Sequence, residues 1–222
     1  MPSVDLYEAL RTTRSVRRLR PDPIPDAVLR RVLEAATWAP SGGNVQPWRV
    51  IAVRDTPRKH AIATHFRELW TRYAAFVGAR MEQLREPSRE RGLRILRAGD
   101  HLAEHLGEAP VLLVFVHDPT RMDRGDTGDR QPEVMLGGSL YPAVQNLLLA
   151  CRAEGLGCVV NTMLWRRETA LREILEIPEP WRFHALVPLG WPVGSGHGPI
   201  RRRPVAQMAY LDRFGAPLFD PG

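Results

Sequence analysis

Lysine is almost missing: Lys59 is the single example among the 31 lysine and arginine residues of this 222-residue chain. Arginine therefore carries the formal net charge of +6. A skew that covers the whole chain reflects GC-rich codon usage better than a binding task. The arginines also alternate with glutamates, as in Arg89-Glu90-Arg91 and Arg172-Glu173. Nucleic-acid binders gather basic charge on one face or stripe, so no nucleic-acid partner is expected. Cysteine is scarce too. Cys151 and Cys158 are the only two, too few for a disulfide framework or a zinc ribbon, and they suit a reducing cytoplasm.

Long apolar runs are absent. The richest candidate, 134–150, is interrupted by Gly137, Gly138, Ser139, Gln145 and Asn146, short of the roughly 18 residues that span a bilayer. The first twenty residues carry charge and no continuous apolar stretch, unlike a secretory signal. The expectation is a cytoplasmic protein with no membrane partner. The nucleophile elbow G-x-S-x-G is missing, and Gly194-Ser195-Gly196-His197-Gly198 fails its spacing. The aspartates between Asp123 and Asp129 lack calcium-loop spacing and its terminal glutamate.

What remains is an ordinary globular composition, 44% hydrophobic and 25% charged. There is no repeat and no composition shift, so residues 1–222 read as one domain. Ser3 can cap a first helix through Thr12, with Asp5 in its first turn. Prolines 21, 23 and 25 interrupt anything helical. Asp26 opens a second helix whose Val28, Leu29, Val32, Leu33 and Ala36 recur at helical spacing. Residues 49–53 read as a buried strand, and Thr56-Pro57 as the start of a long helix. A helix over 88–106, a buried strand over 111–116 and a polar loop over 118–132 follow. A helix over 133–154, a strand over 158–160, a helix over 167–175 and a strand over 185–190 complete the pattern. Helices mixed with doubly buried strands place the chain in the α/β or α+β class around a central sheet.

Four segments carry chemistry. Arg14-Ser15-Val16-Arg17 offers two guanidiniums and a hydroxyl, donors matched to phosphate oxygens; alone it also fits a solvated helix end. Pro40-Ser41-Gly42-Gly43-Asn44-Val45-Gln46-Pro47-Trp48 combines adjacent glycines, which permit positive φ and close backbone approach, with a polar density that a plain connector has no need of. Gly155-Leu156-Gly157 leads into a strand that emerges as Asn161-Thr162, and ligands commonly sit at strand ends. Arg201-Arg202-Arg203-Pro204 is the last.

In this order the four segments resemble the nitroreductase-like family of FMN enzymes, whose relatives include iodotyrosine deiodinase and the flavin destructase of cobalamin ligand synthesis. The matches run from Arg14 to Pro204, and the 40–48 motif is the specific part. The resemblance implies an α+β, three-layer sandwich with a central mixed sheet of about four to five strands flanked by helices. It implies a homodimer with FMN at the interface. Arg14 and Ser15 would hold the FMN phosphate, with Arg202 reaching it from far along the chain. Arg17 would lie by the pyrimidine edge of the flavin. Pro40, Ser41, Gly42 and Asn44 would line the ring, and Thr162, with Asn161 beside it, would bond flavin N5 as a tuning residue. Where many relatives carry a further arginine this chain has Thr13, whose hydroxyl could replace its bond but not its charge.

The implied activity is FMN-dependent transfer of reducing equivalents from NADH or NADPH to nitroaromatics, quinones or similar small acceptors by a ping-pong scheme. The alternative is a flavin-binding protein of the same fold that stores or senses FMN without turnover. No side chain stands out as a general acid or nucleophile, as suits chemistry done by a cofactor. Glu68, Tyr73 and Lys59 do not match the lid of deiodinase-type members, which disfavours halotyrosine, although Trp70 and Tyr73 can stack on an aromatic substrate. The rival motif His101-Leu102-Ala103-Glu104-His105 is H-x-x-E-H, with both imidazoles on one helix face. Histidine pairs at this spacing arise readily on helix surfaces, and no metal site is expected.

Overall fold

The computed structural model describes residues 4–121 and 132–219. The capping role expected of Ser3 and the aspartates of 123–129 lie outside the described residues.

The strands come from β-branched, apolar runs and the helices from periodic ones. Helix α1 (Leu6–Thr12) begins at Asp5, whose carboxylate accepts from the Tyr7 and Glu8 amides at 2.9 and 3.1 Å. Asp5 is thus the cap rather than a first-turn residue. Two-residue strand β1 (Leu19–Arg20) follows, then α2 (Asp26–Thr37), which buries Leu29, Val32 and Ala36. Strand β2 (Trp48–Val53) leads through the Asp55 cap into α3 (Thr56–Glu82), with Pro57 in its first turn. Helix α4 (Ser88–His105), strand β3 (Val111–His117), helix α5 (Pro132–Ala153), strand β4 (Gly157–Cys158), helix α6 (Glu168–Leu175) and strand β5 (Arg182–Pro192) complete the order.

The sheet runs β1-β5-β3-β2, with β4 also on β5. Every pairing is antiparallel, where a mixed sheet was expected. For β2 and β3 the connection gives the reason: they are joined by two long helices, α3 and α4, packed on each other, and such a helical hairpin returns the chain antiparallel.

Strand β3 is buried along its whole length. Strand β2, expected to be buried, is the sheet edge and only partly covered. Strand β5 is longer than the apolar run 185–190 because its start pairs with β3 while its end pairs with β1 and β4. Strand β4 is correspondingly shorter than 158–160. It stops at Cys158, and pairing resumes only as a bridge between Asn161 and Leu186.

Alternation along β3 and β5 sends side chains to two cores, giving three layers. Leu113, Phe115, Ala185 and Val187 pack with Leu140 and Leu147 of α5 and Val32 of α2. Leu112, Val114 and Leu186 pack with Phe66 of α3, Leu102 of α4 and Leu171 of α6. At roughly 1.5–3 kcal/mol per fully buried large apolar side chain, these two cores dominate the fold's stability. Among the described residues no helix is long and apolar enough to cross a membrane.

Candidate functional site

Residues 11–18 form a strap that leaves α1 and is laced to the far end of the chain. Val16 donates its amide to the Cys158 carbonyl at 2.9 Å, and Val193 donates to Arg18 at 3.0 Å. Gly198 and Ile200 donate to Thr12 and Arg11 at 2.9 and 3.1 Å. Arg14 adds its fork: Nε and Nη2 reach the Pro199 carbonyl at 3.2 and 2.6 Å. These bonds carry the chain toward Arg202, so that Arg14, Ser15 and Arg202 line one cavity of about 160 Å³, with Gln145 of α5 and Val160 on its walls. Among the described residues no carboxylate lines it. A small cavity with two guanidiniums and a hydroxyl from opposite ends of the chain is suited to an oxyanion.

His197 holds this corner together, and nothing in the sequence marked it. Its Nδ1 accepts the Arg14 amide at 3.4 Å while its Nε2 lies 2.8 Å from the Leu156 carbonyl. Both contacts are satisfied by the neutral ring with its proton on Nε2, and burial lowers its pKa, favouring that form. Thr13 is not free to replace the missing arginine, since its hydroxyl donates to the Ala9 carbonyl at 2.7 Å.

Arg17 lies next along the strap, partly buried. Burial lowers its pKa, and among the described residues it pairs with no carboxylate. A partly desolvated guanidinium favours an anionic or electron-rich group beside it.

The loop over 40–47 is wound tightly. Gly43, Asn44 and Gln46 all have positive φ, at 56°, 54° and 50°. Left-handed backbone is cheap at Gly43 but costs Gln46 something, and such strain gathers at ligand sites. Ser41 Oγ accepts from the Gln46 amide at 2.9 Å, and the Gln46 side chain donates to Asn44 Oδ1 at 3.1 Å. Of the adjacent glycines only Gly43 uses its conformational freedom. Gly42 instead donates its amide to Ser139 Oγ of α5 at 3.1 Å. Trp48 anchors the loop's end against Phe115, ring centroids 6.0 Å apart. Pro40, Gly42 and Asn44 remain exposed.

Beyond β4, Asn161 spends its side chain on the Met163 amide, 2.9 Å from Oδ1. Thr162 is exposed and lines a second, larger cavity of about 620 Å³ with Arg72, Tyr73 and Phe76 of α3 and Trp165 and Arg166 of the turn Met163–Arg167. Val160 lines the first cavity and Thr162 the second, so one short stretch of chain joins them, two residues or about 7 Å apart if extended. The ten predicted site residues thus fall into groups. Arg14, Ser15 and Arg202 share a cavity; Thr162 lies in its neighbour beside Asn161. Pro40, Ser41, Gly42 and Asn44 sit on a separate loop tied to α5 through Ser139. Arg17 lines neither cavity.

Trp70 is structural rather than free to stack on a substrate. Its Nε1 donates to Asp100 at 2.7 Å and its ring packs on Phe66, whereas Tyr73 does reach the second cavity. In the H-x-x-E-H segment the imidazoles stack with centroids 4.1 Å apart, and His101 Nδ1 faces the Arg18 guanidinium at 3.2 Å. A guanidinium thus faces one nitrogen of the pair, and the other ring's Nδ1 lies 2.9 Å from the His101 carbonyl.

Residues 10–191 match the nitroreductase family. A Thermus thermophilus protein named NADH dehydrogenase is 33% identical over 222 residues, covering 94% of this chain and 96% of its own. A 5,6-dimethylbenzimidazole synthase of Rhodospirillum rubrum is 34% identical over 180 residues, covering 81% and 78%. Among solved structures, a nitroreductase-type protein of Desulfovibrio desulfuricans in complex with FMN superposes with a TM-score of 0.67 at 26% identity. That likeness covers 96% of this chain and 99% of the other. Arg202 lies beyond the matched family span.

Proposed function

The chain belongs to the nitroreductase family of flavin-dependent oxidoreductases, and from that premise we propose that it binds FMN, draws reducing equivalents from NADH or NADPH, and passes them to small organic acceptors such as nitroaromatics or quinones. The observation that carries this reading is the convergence of Arg14, Ser15 and Arg202 on one cavity that no carboxylate lines among the described residues. That donor set fits a terminal phosphate. FMN supplies the redox chemistry when bound.

The chain's own residues bind and orient. Arg14, Ser15 and Arg202 hold the phosphate, and His197 fixes the Arg14 backbone. Arg17, whose partly buried guanidinium pairs with no carboxylate among the described residues, would favour added negative charge on a bound ring beside it and so raise its potential. Pro40, Ser41, Gly42 and Asn44 border the ring, and Thr162 offers a donor at its N5 edge. Relatives support the cofactor: one is solved with FMN, and another is named for NADH.

A homodimer accompanies this reading. Tyr7 on α1 is 73% exposed and Phe214 near the C-terminus 91%. Apolar surface of this kind, spread over both ends of the chain, suits burial against a second copy. One domain and a cytoplasmic setting complete the proposal, the latter supported by two free, buried cysteines.

The test is spectroscopic. Purified protein should be yellow, bleach with NADH or NADPH under anaerobic conditions, and recolour when a nitroaromatic or quinone is added. A yellow protein that no nicotinamide bleaches would instead favour storage or sensing of FMN.

A further inference from the structure

We propose that the 620 Å³ cavity between α3 and the Met163–Arg167 turn selects a planar aromatic acceptor carrying an anionic group, an aromatic carboxylate being the simplest case, and that Arg72 and Arg166 are its specificity-determining residues. The inference rests on the flavin reading above, which puts Thr162 at the edge where the acceptor must arrive.

Three aromatic rings border the cavity. Tyr73 and Phe76 stand three residues apart on α3, hence on one face, and Trp165 projects from the turn opposite. Phe76 is 64% and Trp165 61% exposed, wide apolar faces that a flat ligand would cover. Among the described residues no acidic side chain lines the cavity.

Arginine is abundant in this chain, so free guanidiniums need a comparison. In the neighbouring cavity of about 500 Å³ beside α6, Arg172 and Arg182 stand among Glu168, Glu173 and Glu179. Both pair with Glu179, at 2.6 and 3.3 Å. Arg167, at the rim of the larger cavity, is likewise held by Glu68 at 3.1 Å. Arg72 and Arg166 differ: among the described residues neither makes an ion pair, and Arg166 lies over the Trp165 ring at 5.4 Å. Two unmatched cations above an aromatic floor recognise an anion attached to a flat ring. For a nitroarene the two-electron balance is ArNO2 + NADH + H+ → ArNO + NAD+ + H2O. The carboxylate takes no part in this reaction and serves only recognition.

The experiment compares 4-nitrobenzoate with its neutral isostere 4-nitrobenzamide on the flavin-loaded protein, with NADH as fixed donor. Wild type should favour the carboxylate by about 10- to 100-fold in kcat/KM, the range expected of one charge-assisted contact. The Arg72→Gln/Arg166→Gln double variant should bring that ratio near unity, and Arg72→Lys/Arg166→Lys should restore most of it. Benzoate should quench tryptophan fluorescence in wild type more than benzamide does, and the difference should vanish in Trp165→Phe, a binding readout independent of turnover. Equal ratios in wild type and the glutamine variant, in a protein that is yellow and bleaches, would overturn this inference alone. A glutamine variant that changes only the NADPH to NADH preference would overturn it too, by assigning the arginines to the donor's phosphate. A colourless protein would overturn the flavin reading and the inference with it.

Discussion

Replacing Gly157 by alanine should damage both the fold and the phosphate cavity. Gly157 is buried on β4, opposite Gly190 of β5. A Cβ there would lie 2.7 Å from Val16 Cγ1 and 2.9 Å from Leu19 Cδ2. Ordinary contact would require the strap to retreat by roughly an ångström. Val16 is poorly placed to yield, because it is β-branched and stiff at χ1, only 6% exposed, and bonded through its amide to Cys158. Overpacking of this kind costs about 1–3 kcal/mol. Gly→Ala recovers about 0.4–1 kcal/mol by restricting the unfolded chain, leaving at most about 2.6 kcal/mol of net destabilisation, with a midpoint of about 1.3 kcal/mol. For a chain of this length that midpoint is a fall in Tm of about 3–5 °C. Ser15 and Arg17 flank Val16, so the shift reaches the ligand. FMN affinity should drop by about three- to tenfold, a fraction of a charge-assisted bond worth about 1.5–3 kcal/mol. Thermal unfolding without ligand and fluorescence titration with FMN measure the two effects. Unchanged Tm together with unchanged FMN affinity in Gly157→Ala would refute the packing on which this rests.

His184 should make the fold acid-sensitive. Burial and the neighbouring His117 push its pKa down to about 4 from an ordinary 6.5, and it packs against Tyr141 and His117, each ring 5.0 Å away, His117 itself facing Asp118 and Arg182. The folded state therefore favours the neutral ring: its contribution is complete above pH 6.5 and is lost as pH falls toward 4. Denaturant midpoints of wild type should decline across that window, and His184→Phe should flatten the decline. His197→Ala removes a neutral hydrogen bond to the Arg14 amide, so calorimetry should show FMN binding weaker by about two- to tenfold and riboflavin binding little altered. Lys59, 7% exposed, donates through Nζ to the Ala109 carbonyl at 2.8 Å. Mass spectrometry after treatment with an amine-acylating reagent should find Lys59 unmodified in the native protein and modified once denaturant is added.

Periodic and long features were legible in the sequence. Helix α2 declared itself by Leu29, Val32 and Ala36, and β3 by an unbroken apolar run, because burial imposes a repeat that a local window detects. Strand β1 has only Leu19 and Arg20, too short for any repeat; it exists because the end of β5 offers them a pairing edge. The excess length of β5 at Arg182 and Trp191 has the same cause. Strand direction depends on how two long helices return the chain, which no local pattern encodes. At the site, Arg14, Ser15 and Arg202 were legible as residue types, and their resemblance to a known arrangement placed them together. The role of His197 was hidden, since its partners Arg14 and Leu156 are 183 and 41 residues away. Asn161 and Thr13 looked available for a ligand, yet each spends its side chain on a nearby backbone group.

The decisive measurement is the affinity of the protein for FMN and for riboflavin in Arg14→Gln, Arg202→Gln and the double variant. Both guanidiniums face one cavity, and Arg14 also steadies Pro199, three residues before Arg202. Each single change should weaken FMN by about 10- to 100-fold and leave riboflavin, which lacks the phosphate, nearly unaffected; the double change should fall short of the product of the singles, because the two positions are coupled. FMN and riboflavin weakened alike, or FMN unweakened by either change, would contradict the account.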